Sequence, residues 1–327
     1  MHQPFLNFFQ TVAPKTVLIT SHENADPDAL CSAVAIESLI HLLYPEVETV
    51  ISFDGITVVS EKIVKNFKIE INPPGNFSSD GIIIVDTNNA EQLGRLKDEI
   101  NWENPVLIID HHVPHPGTRE VAQFTIIDET AVATVELILN MYQGLEASLS
   151  KEIASILFLG LLYDSRHLIL ANNKTIRNIH LLLESGVEYS DMVELLNVSM
   201  ERPERIARLK AGQRLKVHEF NGWLVVVSHT SAYEASACRA LIKLGADVAL
   251  VYGQKKDEIR LSARARAEVA KETNLNLAKD IMEKIGPVMH GEGGGHNTAA
   301  GCSGTNNLQG GLKLALKLLK TKLSGSS

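Results

Sequence analysis

The chain has 327 residues, 45% hydrophobic and 21% charged, a globular balance that excludes a disordered or fibrous protein and suits two domains. Its net charge of −8 is uneven: residues 213–327 hold 16 Lys and Arg against 10 Asp and Glu, which leaves −14 in residues 1–212. Overall acidity argues against a protein that grips long duplex DNA, whereas an acidic lobe suits cations and a basic lobe suits phosphates.

The first residues, MHQPFLNFFQTVAPK, carry no basic leader or small-residue cleavage site, so no secretion signal is expected. Strands are predicted at Thr16–Thr20, Val47–Ser52, Gly81–Asp86 and Val106–Asp110. They are continuous apolar runs, as strands covered on both faces require. Helical periods lie between them at Asp28–Leu43, Val59–Phe67 and Ala90–Ile100, so the pattern is βαβ with a parallel sheet. From Ala131 to about Leu196 the chain reads as helical. Its most apolar run, Ile153–Tyr163, is too short to span a membrane.

A charged connector helix is expected within 201–215, after Pro203. Strands return at Trp223–Ser228, Val248–Tyr252 and Glu258–Ser262, with a helix at Ala232–Leu244. The glycine cluster Gly291–Gly295 and a helix at Leu308–Leu319 follow, and the SGSS tail is expected to be disordered. The expected fold class is α/β: a helix-flanked parallel sheet over 1–196, a connector over 197–215 and a smaller α/β domain over 216–327. Cys31, Cys238 and Cys302 fit neither a disulfide framework nor a thiolate metal site, and they read as small buried residues of a cytoplasmic protein.

Three of the predicted strands run into metal-binding residue types. His22, Asp26 and Asp28 follow the first, Asp86 ends the third, and Asp110, His111 and His112 close the fourth. Ligands of open parallel sheets bind beyond the carboxyl ends of the strands, so these residues are expected to converge. Asp28 alone has a rival reading as a helix cap. Asp164 ends the apolar run SILFLGLLYD, where an unpartnered carboxylate is costly. Imidazole with several carboxylates and no thiolate suits Mn²⁺ or Mg²⁺, and the carboxylates are too many for one ion.

His22-x3-Asp26-x-Asp28-Ala29, the isolated Asp86, Asp110-His111-His112 and Asp164 resemble the four motifs of the DHH phosphoesterases. Gly293-Gly294-Gly295-His296, with Asn297 to Gly301, is similar to the signature of the DHHA1 subfamily, which includes RecJ-like and nanoRNase-like enzymes. The resemblance implies two divalent ions, Mn²⁺ foremost with Mg²⁺ or Co²⁺ as alternatives. His22, Asp26 and Asp86 would hold the first, and Asp28, Asp86, His111 and Asp164 the second. It implies that Asp110 orients the triplet and that His112 contacts the scissile phosphate and protonates the leaving oxygen. Ser262, Arg264, Gly294, Gly295 and His296 would bind substrate, while Arg266 reads as a solvated charge. Asp164-Ser165-Arg166-His167-Leu168 departs from the family pattern, which carries Thr-Gly and an aromatic residue there.

The function implied is a metal-dependent exonuclease of short single-stranded RNA or DNA that releases mononucleotides. Alternatives on the same core are a phosphatase of 3′-phosphoadenosine 5′-phosphate and a phosphodiesterase of cyclic or linear dinucleotides. Inorganic pyrophosphatase is disfavoured, because those relatives carry a different second domain. A non-catalytic nucleic-acid-binding accessory of replication is the rival from another class, opposed by the complete ligand set. No membrane partner is expected, and a homodimer is left open.

Overall fold

The computed structural model describes residues 2–75, 77–197, 200–255 and 258–324. The tail residues 325–327 lie outside the described residues. The chain divides into two compact units, Met1–Val198 and Ser199–Ser327.

The first unit is built on a parallel sheet in the order β2-β1-β3-β4-β5. Its strands are β1 (Thr16–Thr20), β2 (Glu48–Ile51), β3 (Gly81–Val85), β4 (Val106–Asp110) and β5 (Phe124–Ile127). The apolar runs are continuous because alternate residues serve opposite faces. Val17, Ile19, Ile83, Val85, Leu107 and Ile109 enter the larger core with the helices Pro27–Leu43, Thr134–Gly144 and Lys151–Asp164. Leu18, Ile82, Ile84, Val106 and Ile108 pack instead on Leu93, Leu96 and Ile100. Strand order reverses between β1 and β3, which opens a crevice at their carboxyl ends.

Three features differ from the sequence expectation. The helix Gln3–Val12 buries Phe5, Phe8 and Phe9, with Phe9 stacked on Tyr44 at 4.3 Å between ring centroids. The expected helix at Ala90–Ile100 is two short turns, Ala90–Leu93 and Leu96–Glu99, separated by Gly94 at φ +61°. Two strands that the sequence reading did not place follow: Glu292–Gly295, which holds most of the glycine cluster, and Ala299–Gly304, which pairs with it.

Those strands belong to the second unit, a mixed sheet in the order β10-β11-β9-β8-β7-β6. It comprises β6 (Lys216–Phe220), β7 (Trp223–His229), β8 (Val248–Lys255), β9 (Glu258–Ala265), β10 (Glu292–Gly295) and β11 (Ala299–Gly304). One face packs on the helix Leu308–Ser324 and the π-helical turn Leu277–Met282. The other packs on the helices Arg202–Arg214 and Glu234–Lys243, through residues such as Ala211, Cys238 and Leu241. The helix expected as a connector thus lies against this unit, with Ala207 and Ala211 buried. All three cysteines are buried and free. Among the described residues no helix is long and apolar enough to cross a membrane.

Candidate metal centre

The crevice of the first unit holds a cavity of about 620 Å³ lined by His22, Asp26, Asp86, Asp110, His112 and Asp164. His22 leaves β1 with its Nδ1 2.9 Å from the Glu23 carbonyl, which turns Nε2 toward Asp86 Oδ2 at 3.6 Å. Asp26 caps the helix Pro27–Leu43, its Oδ1 accepting from the N–H groups of Asp28 and Ala29. The cap is therefore Asp26, and Asp28 sits fully buried inside the first turn. Asp86 stands in the left-handed region at φ +57°, a strained conformation for a carboxylate residue at the end of a buried strand.

His111 occupies the middle. Its Nδ1 lies 3.4 Å from the Ala131 carbonyl, and its Nε2 lies 3.3 Å from Asp164 Oδ2, 3.5 Å from Asp86 Oδ1 and 4.0 Å from Asp28 Oδ2. That buried Nε2 has no hydrogen-bond partner. Three groups could each hold an ion: His22, Asp26 and Asp86; Asp28, His111 and Asp164; and Asp86, His111 and His112. Within each, the donor atoms lie within 4.8 Å of one another. All six residues expected at the metals thus meet at one place.

Burial and mutual repulsion shift the carboxyl groups of this cluster together. Burial, then the charge of Asp86, raises the Asp28 carboxyl well above its usual range. Burial and Asp26 do the same to Asp86 and push Asp164 up to about 6. Burial and the neighbouring His112 lower His111, which favours its neutral form. His112 moves the other way, raised by its hydrogen bond to Asp110 (Nδ1 to Oδ1, 2.8 Å). Burial opposes an ionised Asp110, yet hydrogen bonds from His112 and Asn88 hold its carboxyl below the usual range.

Two residues here were not singled out from the sequence. Thr134 opens the helix Thr134–Gly144 and ties two carboxylates together. Its N–H donates to Asp28 Oδ2 at 2.7 Å and its hydroxyl to Asp86 Oδ1 at 2.8 Å, while the Val135 N–H reaches Asp28 Oδ1 at 3.1 Å. Asp28 is in effect the cap of a helix more than a hundred residues away. Asn88, also buried, donates from Nδ2 to Asp110 Oδ2 and to the Val113 carbonyl, and its Oδ1 accepts from the His115 N–H. Neither had a local signal, because the partners are distant in sequence.

In the second unit, register sets Gly294 opposite Gly301 and Gly301 opposite Ser262, while Ala299 pairs with Arg264. A Cβ on Gly294 would meet nothing within 4 Å, and one on Gly301 would meet only the Leu261 carbonyl oxygen at 3.5 Å. Gly293 is different, since a Cβ there would come within 2.1 Å of the Met282 carbonyl oxygen. Gly295 lies at φ +131° at the end of β10, and the His296 N–H closes the hairpin on the Ala299 carbonyl at 2.8 Å. Arg264 is half-buried and ion-paired with no carboxylate among the described residues. Arg266, by contrast, is engaged by Asp247 at 3.2 Å and Glu268 at 3.4 Å.

The sequence matches the DHH family, N-terminal domain, over residues 16–161 and the DHHA1 domain over residues 225–325. The uncharacterized protein MJ0988 of Methanocaldococcus jannaschii is 36% identical over 291 residues, 87% of this chain and 86% of that protein. The bifunctional oligoribonuclease and PAP phosphatase NrnA of Thermus thermophilus is 26% identical over 211 residues, 62% of this chain and 59% of NrnA. The manganese-dependent inorganic pyrophosphatase of Bacillus subtilis is 28% identical over 160 residues, 46% of this chain and 48% of that enzyme. Among solved structures, an exopolyphosphatase-related protein from Bacteroides fragilis shares the fold, with a TM-score of 0.63 at 17% identity, covering 98% of this chain and 96% of that one.

Fold, site and relatives define the class as a phosphoesterase, a hydrolase of phosphoester bonds. The chain belongs to the DHH family, with the DHHA1 domain as its second part.

Proposed function

We propose that the chain is a two-metal phosphodiesterase that hydrolyses short single-stranded oligonucleotides and releases mononucleotides. The observation that carries this reading is the shared position of Asp86, in reach of His22 on one side and of His111 on the other. One ion would be held by His22, Asp26 and Asp86, and a second by Asp28, His111 and Asp164, with Asp86 shared between them. The unpartnered His111 Nε2 and the raised carboxyls both call for bound cations. Hard oxygen donors with imidazole favour Mn²⁺, with Mg²⁺ or Co²⁺ as substitutes. Bound there, the ions would polarise a phosphoryl oxygen and lower the pKa of the attacking water.

The chain's own residues supply positioning and proton transfer. Asp110, itself held by Asn88, fixes the His112 ring through Nδ1 and leaves Nε2 to carry a proton to the leaving oxygen. Its raised pKa keeps that proton available near neutrality. Thr134 and the helix behind it hold Asp28 and Asp86 in place. Ser262, Arg264, Gly294, Gly295 and His296 hold the terminal nucleotide, with the guanidinium on its phosphate.

The NrnA relative is named for both oligoribonuclease and PAP phosphatase activity, so 3′-phosphoadenosine 5′-phosphate is the second substrate to assay. Similarity to the pyrophosphatase reaches only 46% of this chain, and a DHHA1 domain follows, which supports a substrate larger than pyrophosphate. A time course with Mn²⁺ on end-labelled short RNA and DNA, alongside 3′-phosphoadenosine 5′-phosphate, a cyclic dinucleotide and pyrophosphate, tests the assignment. Cleavage of the small substrates alone would remove the oligonucleotide reading.

A further inference from the structure

The second unit carries a pocket that the chemistry above does not use. It encloses about 390 Å³ on the sheet face that packs against the helix Leu308–Ser324. Pairing fixes which side chains look into it, because directly paired residues share a face. His218 pairs with Val225, Lys216 with Val227, and His229 with Tyr252, and Val225 lies in the core beneath that helix. Ser262 pairs with Val251 and Arg264 with Ala249, and both partners lie in the core on the other side. The pocket is therefore on the opposite face of the sheet from Ser262 and Arg264.

Its chemistry is one-sided. Arg214, Lys216 and Lys313 line it together with His218 and His229, and no carboxylate does. None of the three permanent cations is ion-paired among the described residues. In a chain of net charge −8, three unneutralised cations at one concavity repel one another and create a field that an anion relieves. The wall is aromatic: the His229 and Tyr252 rings stack at 5.5 Å with their planes 21° apart. Leu312 and Leu316 add apolar surface from the helix. Cations beside a flat ring pair are what a phosphate with an attached base requires, and stacking of this kind tolerates any base.

We propose that this pocket is a second nucleotide-binding site, which takes one nucleotide of a single-stranded oligonucleotide. The phosphate lies among Arg214, Lys216 and Lys313, and the base lies against the Tyr252–His229 pair. The choice of an oligonucleotide rests on the proposed function, but binding here does not depend on hydrolysis. The test is therefore made on the full chain in EDTA, by fluorescence anisotropy with labelled oligouridylate of about twelve nucleotides.

The K216E/K313E variant is expected to bind about tenfold or more weakly, with the salt slope reduced by about 1.4. His229→Ala and Tyr252→Leu should each weaken binding about tenfold by removing stacking surface. AMP should compete better than inorganic phosphate. Cleavage of a dinucleotide with Mn²⁺ should be unchanged in all three variants. A control pair of exposed lysines in the same unit, K271E/K284E, should bind as the parent does. Parental affinity in K216E/K313E, or an equal loss in the control pair, overturns the site. Equal competition by phosphate and AMP, or full affinity in both ring variants, overturns its nucleotide specificity. A chain that hydrolyses no oligonucleotide would fail the functional assignment, while this binding measurement would still decide the pocket.

Discussion

The Nε2 of His111 lies 3.3 Å from Asp164 Oδ2, and this buried nitrogen has no hydrogen-bond partner. An imidazole facing three carboxylates, all of them raised by burial, is a donor set suited to a divalent ion. The first expectation follows: Mn²⁺ raises the melting temperature of metal-free protein, and His111→Ala removes most of that gain. Calorimetry with and without EDTA measures it. An unchanged Mn²⁺ response in the variant would place the ion elsewhere.

Acid should stabilise the metal-free protein. Burial and the charge of Asp26 push the Asp164 carboxyl up to about 6, from an ordinary value of about 4, and burial raises Asp28 and Asp86 as well. A raised folded pKa means that the native state binds more protons, so this contribution is complete below about 4 and is lost as pH rises through about 6. The melting temperature in EDTA should therefore fall across that interval relative to the protein with Mn²⁺. Parallel curves with and without Mn²⁺ would contradict it.

Asp86→Ala removes the residue that the two proposed ion sites share. With saturating Mn²⁺ it should lower kcat/KM by roughly a hundredfold or more, since metal-orienting partners alone are worth 10- to 100-fold. Retention of most activity would rule out a shared bridge.

Asn88 bonds Asp110, which in turn bonds His112, so Asn88 is expected to act as a positioning residue for that ring. Asn88→Ala should cost about tenfold in kcat, with KM little changed. Because His112 owes its raised pKa to Asp110, the alkaline limb of the pH–rate profile should also move to lower pH. A loss of activity with an unshifted profile would mean that Asn88 serves only the fold.

Neighbouring glycines of the second unit should separate stability from binding. Gly293→Ala forces a Cβ against the Met282 carbonyl oxygen and should destabilise by about 1–3 kcal/mol. Gly294→Val points into open space, so it should leave the melting temperature nearly unchanged while raising KM. Denaturation and steady-state kinetics on both variants check this. Similar melting temperatures for the two would refute the assignment of faces.

Much of the candidate site was legible because its His and Asp residues follow strands whose apolar runs are unmistakable. His22 after TVLIT, Asp86 after GIIIV and His111 after VLIID needed only the rule that ligands gather beyond strand ends. The missed elements have equally concrete causes. The helix Gln3–Val12 has only a short apolar stripe, Phe5, Phe8 and Phe9, and no side-chain cap to mark its start. The hairpin β6–β7 turns at Asn221-Gly222, with φ of 53° and 83°, a dipeptide that marks such turns. β10 and β11 are rich in glycine and alanine, which carry little strand propensity. They pair because β9 offers an edge.

The sequence by itself determined the four parallel strands β1 to β4, the division of charge between the two parts and the His and Asp residues that gather at the carboxyl ends of those strands, since these are written in local patterns. Only the tertiary structure decided that Asp26 rather than Asp28 caps its helix and that Thr134 binds Asp28 and Asp86 at once. It also decided that Gly293 serves packing while Gly294 faces open space. These are relations between groups remote in the chain, set by sheet register and helix packing, and no local periodicity encodes them.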